Sequence, residues 1–257
     1  MTRLIFAVLA LALLLAAAPL RAEQIRVAAA ADLRFAMDEV VRLFGKSRPG
    51  DTVEVSYGSS GKFYAQIRNG APFDLFFSAD IELPKKLVEQ GLAVPEVIPY
   101  ALGRIVVWRP GRHTPPLALA DLAQPEMRRI AIANPKHAPY GMRAVEALKA
   151  ANVWNSVEGR LIYGENIAQT AQFVQTGNAD AGIIALSLAL APAFADTGSH
   201  ALIPADLHQP LRQGFVILKH GEGKALARNF AAFFATGNVR TIMGRYGFSL
   251  PDGPVVR

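Results

Sequence analysis

The chain has 257 residues, of which 51% are hydrophobic and 19% charged, with a net charge of +6 and no cysteine. This is a globular balance and not a disordered one. The missing cysteine excludes disulfides, thiolate metal sites, a cysteine nucleophile and a lipidated N-terminal cysteine. The basic residues are scattered, with no Lys/Arg run and no interleaved aromatics, so the charge suits an anionic ligand or simple solubility and gives no support to nucleic-acid binding.

Arg3 precedes an unbroken apolar run from Leu4 to Ala18, followed by Pro19-Leu20-Arg21-Ala22 and a polar Glu23-Gln24. A basic start, a short apolar core and a small residue before a polar start form a secretory signal, too short for a membrane span. The expected cleavage follows Ala22. Removing residues 1–22 takes away Arg3 and Arg21 and no acid, which leaves a net charge of +4.

Ile25 to Ala31 reads as a buried strand, and Asp32 is placed to cap the helix whose apolar face is Leu33, Ala36, Met37, Val40, Val41 and Phe44. Thr52 to Tyr57 alternates with the period of a half-buried strand, and after Gly58-Ser59-Ser60-Gly61-Lys62 the residues Phe63 and Ile67 mark a helix. Phe73 to Phe77 is a third strand, followed by a helix to about Gly91. Alternating strands and helices with short connections predict a parallel sheet covered by helices, with ligands at the carboxyl ends of its strands.

The pattern changes after Gly91. Val97 to Tyr100 and Arg104 to Trp108 are extended, and a Pro-rich stretch follows from Arg109 to Pro116. A second block then repeats the first. Arg129 to Ala133 is a strand, Tyr140-Gly141 leads into a helix, Arg160 to Tyr163 is a strand, Asn166 caps a helix from Ile167 to Thr176, and Ala179 to Leu186 is a buried strand. Gln213 to Leu218 is a returning strand, and helices over Lys224–Ala235 and Val239–Tyr246 close the chain. The prediction is two α/β lobes, each a mostly parallel sheet flanked by helices. The chain crosses twice, near residues 101–107 and 213–219. The expected division is a leader over 1–22, lobe I over 23–103 and 218–257, and lobe II over 104–217. A cleft between such lobes closes by a hinge on a ligand held by helix N-termini.

Catalytic and metal motifs fare poorly. Ser59-x-x-Lys62 matches a serine–lysine nucleophile spacing, yet the companion Ser-Asp-Asn and Lys-Thr-Gly elements are missing. Gly58 to Lys62 has two residues between its glycines where a phosphate loop has four, and Phe63 stands where that loop has Ser or Thr. His113, His137, His200, His208 and His220 lack metal-ligand spacing and read as loop or exposed residues. Four strand-to-helix turns remain: Ala31-Asp32, Gly58 to Gly61, Ala138 to Gly141, and Glu165-Asn166-Ile167. Their free N–H groups at the positive end of a helix dipole favour an anion. The chain reads as a binder and not as an enzyme.

Taken together, Val27 to Leu33, Gly58-Ser-Ser-Gly61, Gly70 to Asp80, Asn134 to Gly141, Gly164-Glu-Asn-Ile167 and Arg245-Tyr-Gly-Phe248 resemble the periplasmic molybdate-binding proteins of ABC transporters, a branch of the type II periplasmic binding fold. The resemblance covers essentially the whole mature chain. It implies capture of a tetrahedral oxyanion, molybdate or tungstate, by neutral hydrogen bonds, with no cofactor and no free-cation ligands. It further implies a monomer in the periplasm that delivers its ligand to a membrane permease and ATPase. Carried over residue by residue, it implies contacts from Asp32, Ser59, Ser60, Tyr140 and Ile167, with Ala31, Asn166 and Ala185 as further candidates. Asp32 and Ala185 depart from the family pattern, which has a serine and a tyrosine there. A carboxylate facing a dianion is tolerated if it is protonated, turned away to cap its helix, or paired with a base such as Arg34. Two alternatives stand beside this reading: the same fold binding another oxyanion or a small organic anion, and a secreted serine hydrolase using Ser59 and Lys62.

Overall fold

A computed structural model describes residues 22–249. The leader expected over residues 1–22 therefore falls, but for Ala22, outside the described residues. The first sheet has the order β2-β1-β3-β10-β4, made of β1 (Gln24–Ala30), β2 (Thr52–Gly58), β3 (Leu75–Ser78), β4 (Ile98–Gly103) and β10 (Leu211–Ile217). The second has the order β7-β6-β8-β5-β9, from β5 (Ile105–Pro110), β6 (Ile130–Ala133), β7 (Leu161–Gly164), β8 (Ala181–Ala185) and β9 (Gly198–Leu202). β1 runs parallel to β2 and β3, and β6 parallel to β7 and β8, while β10 and β5 are antiparallel to their neighbours. Each sheet is thus the mostly parallel, helix-covered layer that the alternation predicts.

Side-chain alternation explains why the central strands of the first sheet are buried throughout. Val27, Ala29, Leu75, Phe77 and Phe215 face a core shared with α1 (Arg34–Ser47), α9 (Ala225–Phe234) and α10 (Gly237–Arg245). Ala28, Phe76 and Val216 face the other way, onto Phe63 and Ile67 of α2 (Ser60–Arg68) and Leu87 of α3 (Glu82–Glu89). A sheet covered on both faces carries near-continuous apolar runs. The second sheet is covered by α4 (Pro139–Ala150) and α6 (Ile167–Gln175), with short helices α5 (Trp154–Val157), α7 (Leu186–Ala189) and α8 (Pro192–Ala195) at its margins. No helix among the described residues is long and apolar enough to cross a membrane.

Two crossings join the sheets. The first is the single residue Arg104 between β4 and β5, inside the stretch that the sequence indicates. The second differs. The sequence reading gives 104–217 to lobe II, but β10 hydrogen-bonds to β3 and β4, so Leu211–Ile217 belongs to the first sheet. The chain returns between β9 and β10, over 203–210. The displacement arises because β9 escapes sequence reading: Gly-Ser-His-Ala-Leu has no clean alternation, and its residues are half-buried or exposed on an edge strand.

Candidate functional site

The loops that leave the carboxyl ends of β1, β2, β3, β6 and β7 meet at one cleft between the sheets, about 200 Å³ counting its open mouth. Its wall includes Ala31, Asp32, Ser59, Ser60, Tyr140 and Ile167, so all four predicted turns converge there. Asn166 and Ala185 are not part of the wall. Asn166 caps α6, its Oδ1 accepting from the N–H groups of Ala168 and Gln169 at 3.0 Å, and Ala185 is wholly buried at the end of β8.

Three helices of nine, twelve and nine residues, α2, α4 and α6, begin at this wall. First-turn N–H groups have no intrahelical acceptor, and those of Ser60, Tyr140 and Ile167 find none elsewhere among the described residues. Pro139 at the first position of α4 sets the helical φ without adding a donor. The Ser60 hydroxyl accepts from the Ala79 N–H at 3.0 Å, which leaves its own proton to donate into the cleft. The wall contains no lysine, arginine or histidine. It is a set of neutral donors at the positive ends of three helix dipoles, an arrangement that stabilises an anion.

The two sides are closed on each other. The carbonyl oxygen of His137, on the β6–α4 loop, accepts from the Gly61 N–H at 2.9 Å and from the Ser59 hydroxyl at 2.5 Å. Lys62 pairs with Glu165 at the mouth. A Cβ on Gly61 would lie 2.5 Å from the His137 carbonyl oxygen, so glycine is what lets the start of α2 touch the opposite side.

These contacts pair neither member of the serine–lysine spacing with the other: Lys62 is engaged by Glu165 and the Ser59 hydroxyl by the His137 carbonyl. Ser59, His137 and Glu165 do lie in a row, with His137 Nδ1 3.0 Å from Ser59 Oγ and Nε2 3.7 Å from Glu165. The hydroxyl proton, however, goes to the His137 carbonyl. The ring then donates to Ser59, the reverse of general-base geometry. Burial lowers the His137 pKa, with Glu165 opposing. His208, read from sequence as a loop or exposed residue, lies in the loop after Leu207 and is buried there.

Asp32 is the one carboxylate in the wall. It does not cap α1 and does not pair with Arg34, whose guanidinium lies 5.6 Å from the centre of the Tyr57 ring. Its Oδ2 accepts from the Tyr140 hydroxyl at 2.9 Å and from Gln213 Nε2 at 2.7 Å. The Tyr140 hydroxyl is therefore committed to Asp32, and only its N–H remains to face a ligand. Burial pushes the Asp32 carboxyl up to about 6, with the Gln213 and Tyr140 hydrogen bonds and the nearby Asp32 and Leu33 main-chain N–H groups pulling it back. Sequence reading did not single out Gln213. The available signal was its place between Leu211 and Phe215 at strand period, a polar residue at an inward position. Gly103 makes room for the trio: a Cβ there would collide with the Tyr140 hydroxyl and sit 2.7 Å from Gln213 Nε2.

A family model for bacterial extracellular solute-binding proteins matches residues 25–249. The chain belongs to that family. Among curated relatives, this solute-binding protein is 37% identical to the molybdate-binding protein ModA of Rhodobacter capsulatus, over 93% of this chain and 94% of the relative. It is 36% identical to the molybdate-binding protein ModA of Azotobacter vinelandii, over 95% and 96%. Among solved structures, the Azotobacter vinelandii periplasmic molybdate-binding protein superposes with a TM-score of 0.80 at 34% identity, covering 89% of this chain and all of that one. The two-lobed periplasmic binding fold expected from the resemblance is the one observed.

Proposed function

We propose that this protein is the periplasmic substrate-binding component of an ABC importer, and that it captures molybdate or tungstate between its lobes for delivery to a membrane permease and ATPase. The observation that carries the reading is the convergence of three helix N-termini and the Ser60 hydroxyl on a cleft without cations. The names of the relatives point to the same ligand. Ser60 donates through hydroxyl and N–H, Tyr140 and Ile167 through N–H, and Ser59 and Ala31 shape the wall. The protein works as a monomer, without cofactor and without catalysis. Closure removes water from the anion, and a smaller ion such as sulfate leaves donors unpaired.

Thermal melting with molybdate, tungstate, sulfate, phosphate and chromate tests this directly. A bound anion at 100 times its dissociation constant stabilises by about 2.7 kcal/mol. Molybdate and tungstate are expected to raise the melting temperature and sulfate to leave it unchanged; if none of the five moves it, the reading is wrong. Ser60→Ala is expected to weaken the anion by roughly 1–3 kcal/mol, because a buried acceptor loses its donor. Unchanged affinity by calorimetry would remove Ser60 from the site. A second reading, a different oxyanion or small organic anion in the same cleft, draws on Asp32, and preferential stabilisation by such a ligand in the same assay would favour it.

A further inference from the structure

We propose that Asp32 meets the bound oxyanion through one shared proton at Oδ1, so that closure on a doubly charged anion takes up one proton from solution. The inference rests on the oxyanion reading above. Its geometric basis is the asymmetry of the buried carboxyl group. Oδ2 is satisfied by two donors, the Tyr140 hydroxyl and Gln213 Nε2. Oδ1 is buried and accepts no hydrogen bond of ordinary geometry among the described residues, although the Asp32 and Leu33 main-chain N–H groups lie close enough to the carboxyl to lower its pKa, and Asp32 forms part of the cleft wall. An oxygen that already accepts two hydrogen bonds is the carbonyl-type oxygen of a carboxylic acid, so a proton on this group resides on Oδ1. A bare buried carboxylate oxygen beside a dianion would be doubly unfavourable, through lost hydration and through like-charge repulsion. One proton removes both penalties.

The balance is simple. A proton from solvent joins the Asp32 carboxylate at Oδ1, and the resulting O–H donates to an anion oxygen. If the proton instead arrives on the anion, Oδ1 accepts from it. Either way the complex holds one proton more than ionised Asp32 and the free dianion, and no covalent bond to the protein forms.

The groups around Asp32 leave it as the one that titrates. Tyr140 on α4 and Tyr100 on β4 are both pushed far above the usual phenol range by burial, with the nearby Asp32 charge adding to it, so both stay neutral. Gln213 on β10 is neutral, and Ser187 on α7 donates to the Asp32 main-chain carbonyl at 2.8 Å. Arg34 is turned to Tyr57. At the mouth, Lys62 and Glu165 neutralise each other, and burial keeps His137 below the usual imidazole range. Burial raises Asp32 itself to about 6, which puts the transition within reach of ordinary buffers.

The test is calorimetric titration of the mature chain with molybdate between about pH 5.5 and 8.5, in buffers of contrasting ionisation enthalpy. The dissociation constant is expected to rise about tenfold per pH unit above about 6, with uptake close to one proton per anion. In Asp32→Asn both the slope and the uptake should vanish, which also separates Asp32 from any titration of the anion itself. Tyr140→Phe removes a donor to the carboxylate and is expected to move the break to higher pH. Binding that persists with a flat profile and no proton uptake in the wild type overturns the inference alone, as does an unchanged slope in Asp32→Asn. No binding at any pH in either protein overturns the oxyanion reading with it.

Discussion

Replacing Asp32 by Asn is expected to stabilise the ligand-free protein above pH 7 relative to its effect near pH 4, by up to about 3 kcal/mol. The figure follows from a rise from 3.8 to about 6 in the folded state, at roughly 1.4 kcal/mol per unit. The folded state holds the Asp32 proton more tightly than the unfolded chain does. The stability belonging to this group is therefore complete below about pH 4 and is lost as pH rises through about 6. Above that pH the penalty is constant. Asn carries no charge, keeps an oxygen for Tyr140 and Gln213, and is indifferent to pH. Denaturant melts of both proteins at several pH values measure the gap between them. A gap that does not widen from pH 4 to pH 8 would mean that Asp32 is not the buried, reluctant carboxylate described here.

Gly61→Ala should separate closure from folding. In the closed state the new Cβ lies 2.5 Å from the His137 carbonyl oxygen, a backbone atom that has no rotamer to yield. Its three nearest neighbours all belong to the His137 main chain, and the position is not one of positive φ. Overpacking of this kind costs about 1–3 kcal/mol, and each 1.4 kcal/mol is about tenfold in affinity. Anion affinity is therefore expected to fall by about five- to about a hundredfold or slightly more. Ala is favoured over Gly inside a helix by up to about 1 kcal/mol, so the ligand-free melting temperature should hold or rise. Affinity loss together with unimpaired stability is the signature. Equal affinity in the two proteins would show that the Gly61–His137 contact is not part of the bound state.

Both predictions concern contacts across the cleft, and these mark the line between what was legible in the sequence and what was not. Local order was legible because its causes are short-range. The apolar run of β1, the helical spacing of Ala36, Met37, Val40 and Phe44, and the capping Asn166 each depend on neighbours within a few residues. Strand–helix alternation followed, and with it two mostly parallel sheets and ligand loops at the carboxyl ends of their parallel strands. The four turns identified from their small and hydroxyl residues are the ones that line the cleft.

Pairing across long chain separations was decided by the tertiary structure. Which sheet receives Leu211–Ile217 depends on hydrogen bonds to β3 and β4, and no local pattern in that strand distinguishes one edge from another. The same holds for Asp32. From sequence it was a helix cap, a partner of Arg34 or a protonated acid. Its donors Tyr140 and Gln213 lie 108 and 181 residues away in the chain. Burial, which sets the carboxyl's proton affinity, exists only once both lobes surround it. The sequence by itself determined the elements and the chemistry of the donors, because period and capping are local. Only the tertiary structure decided that the one acidic residue in the wall is desolvated and bonded to distant side chains at a single oxygen, because desolvation and cross-lobe hydrogen bonds arise from segments distant in the chain.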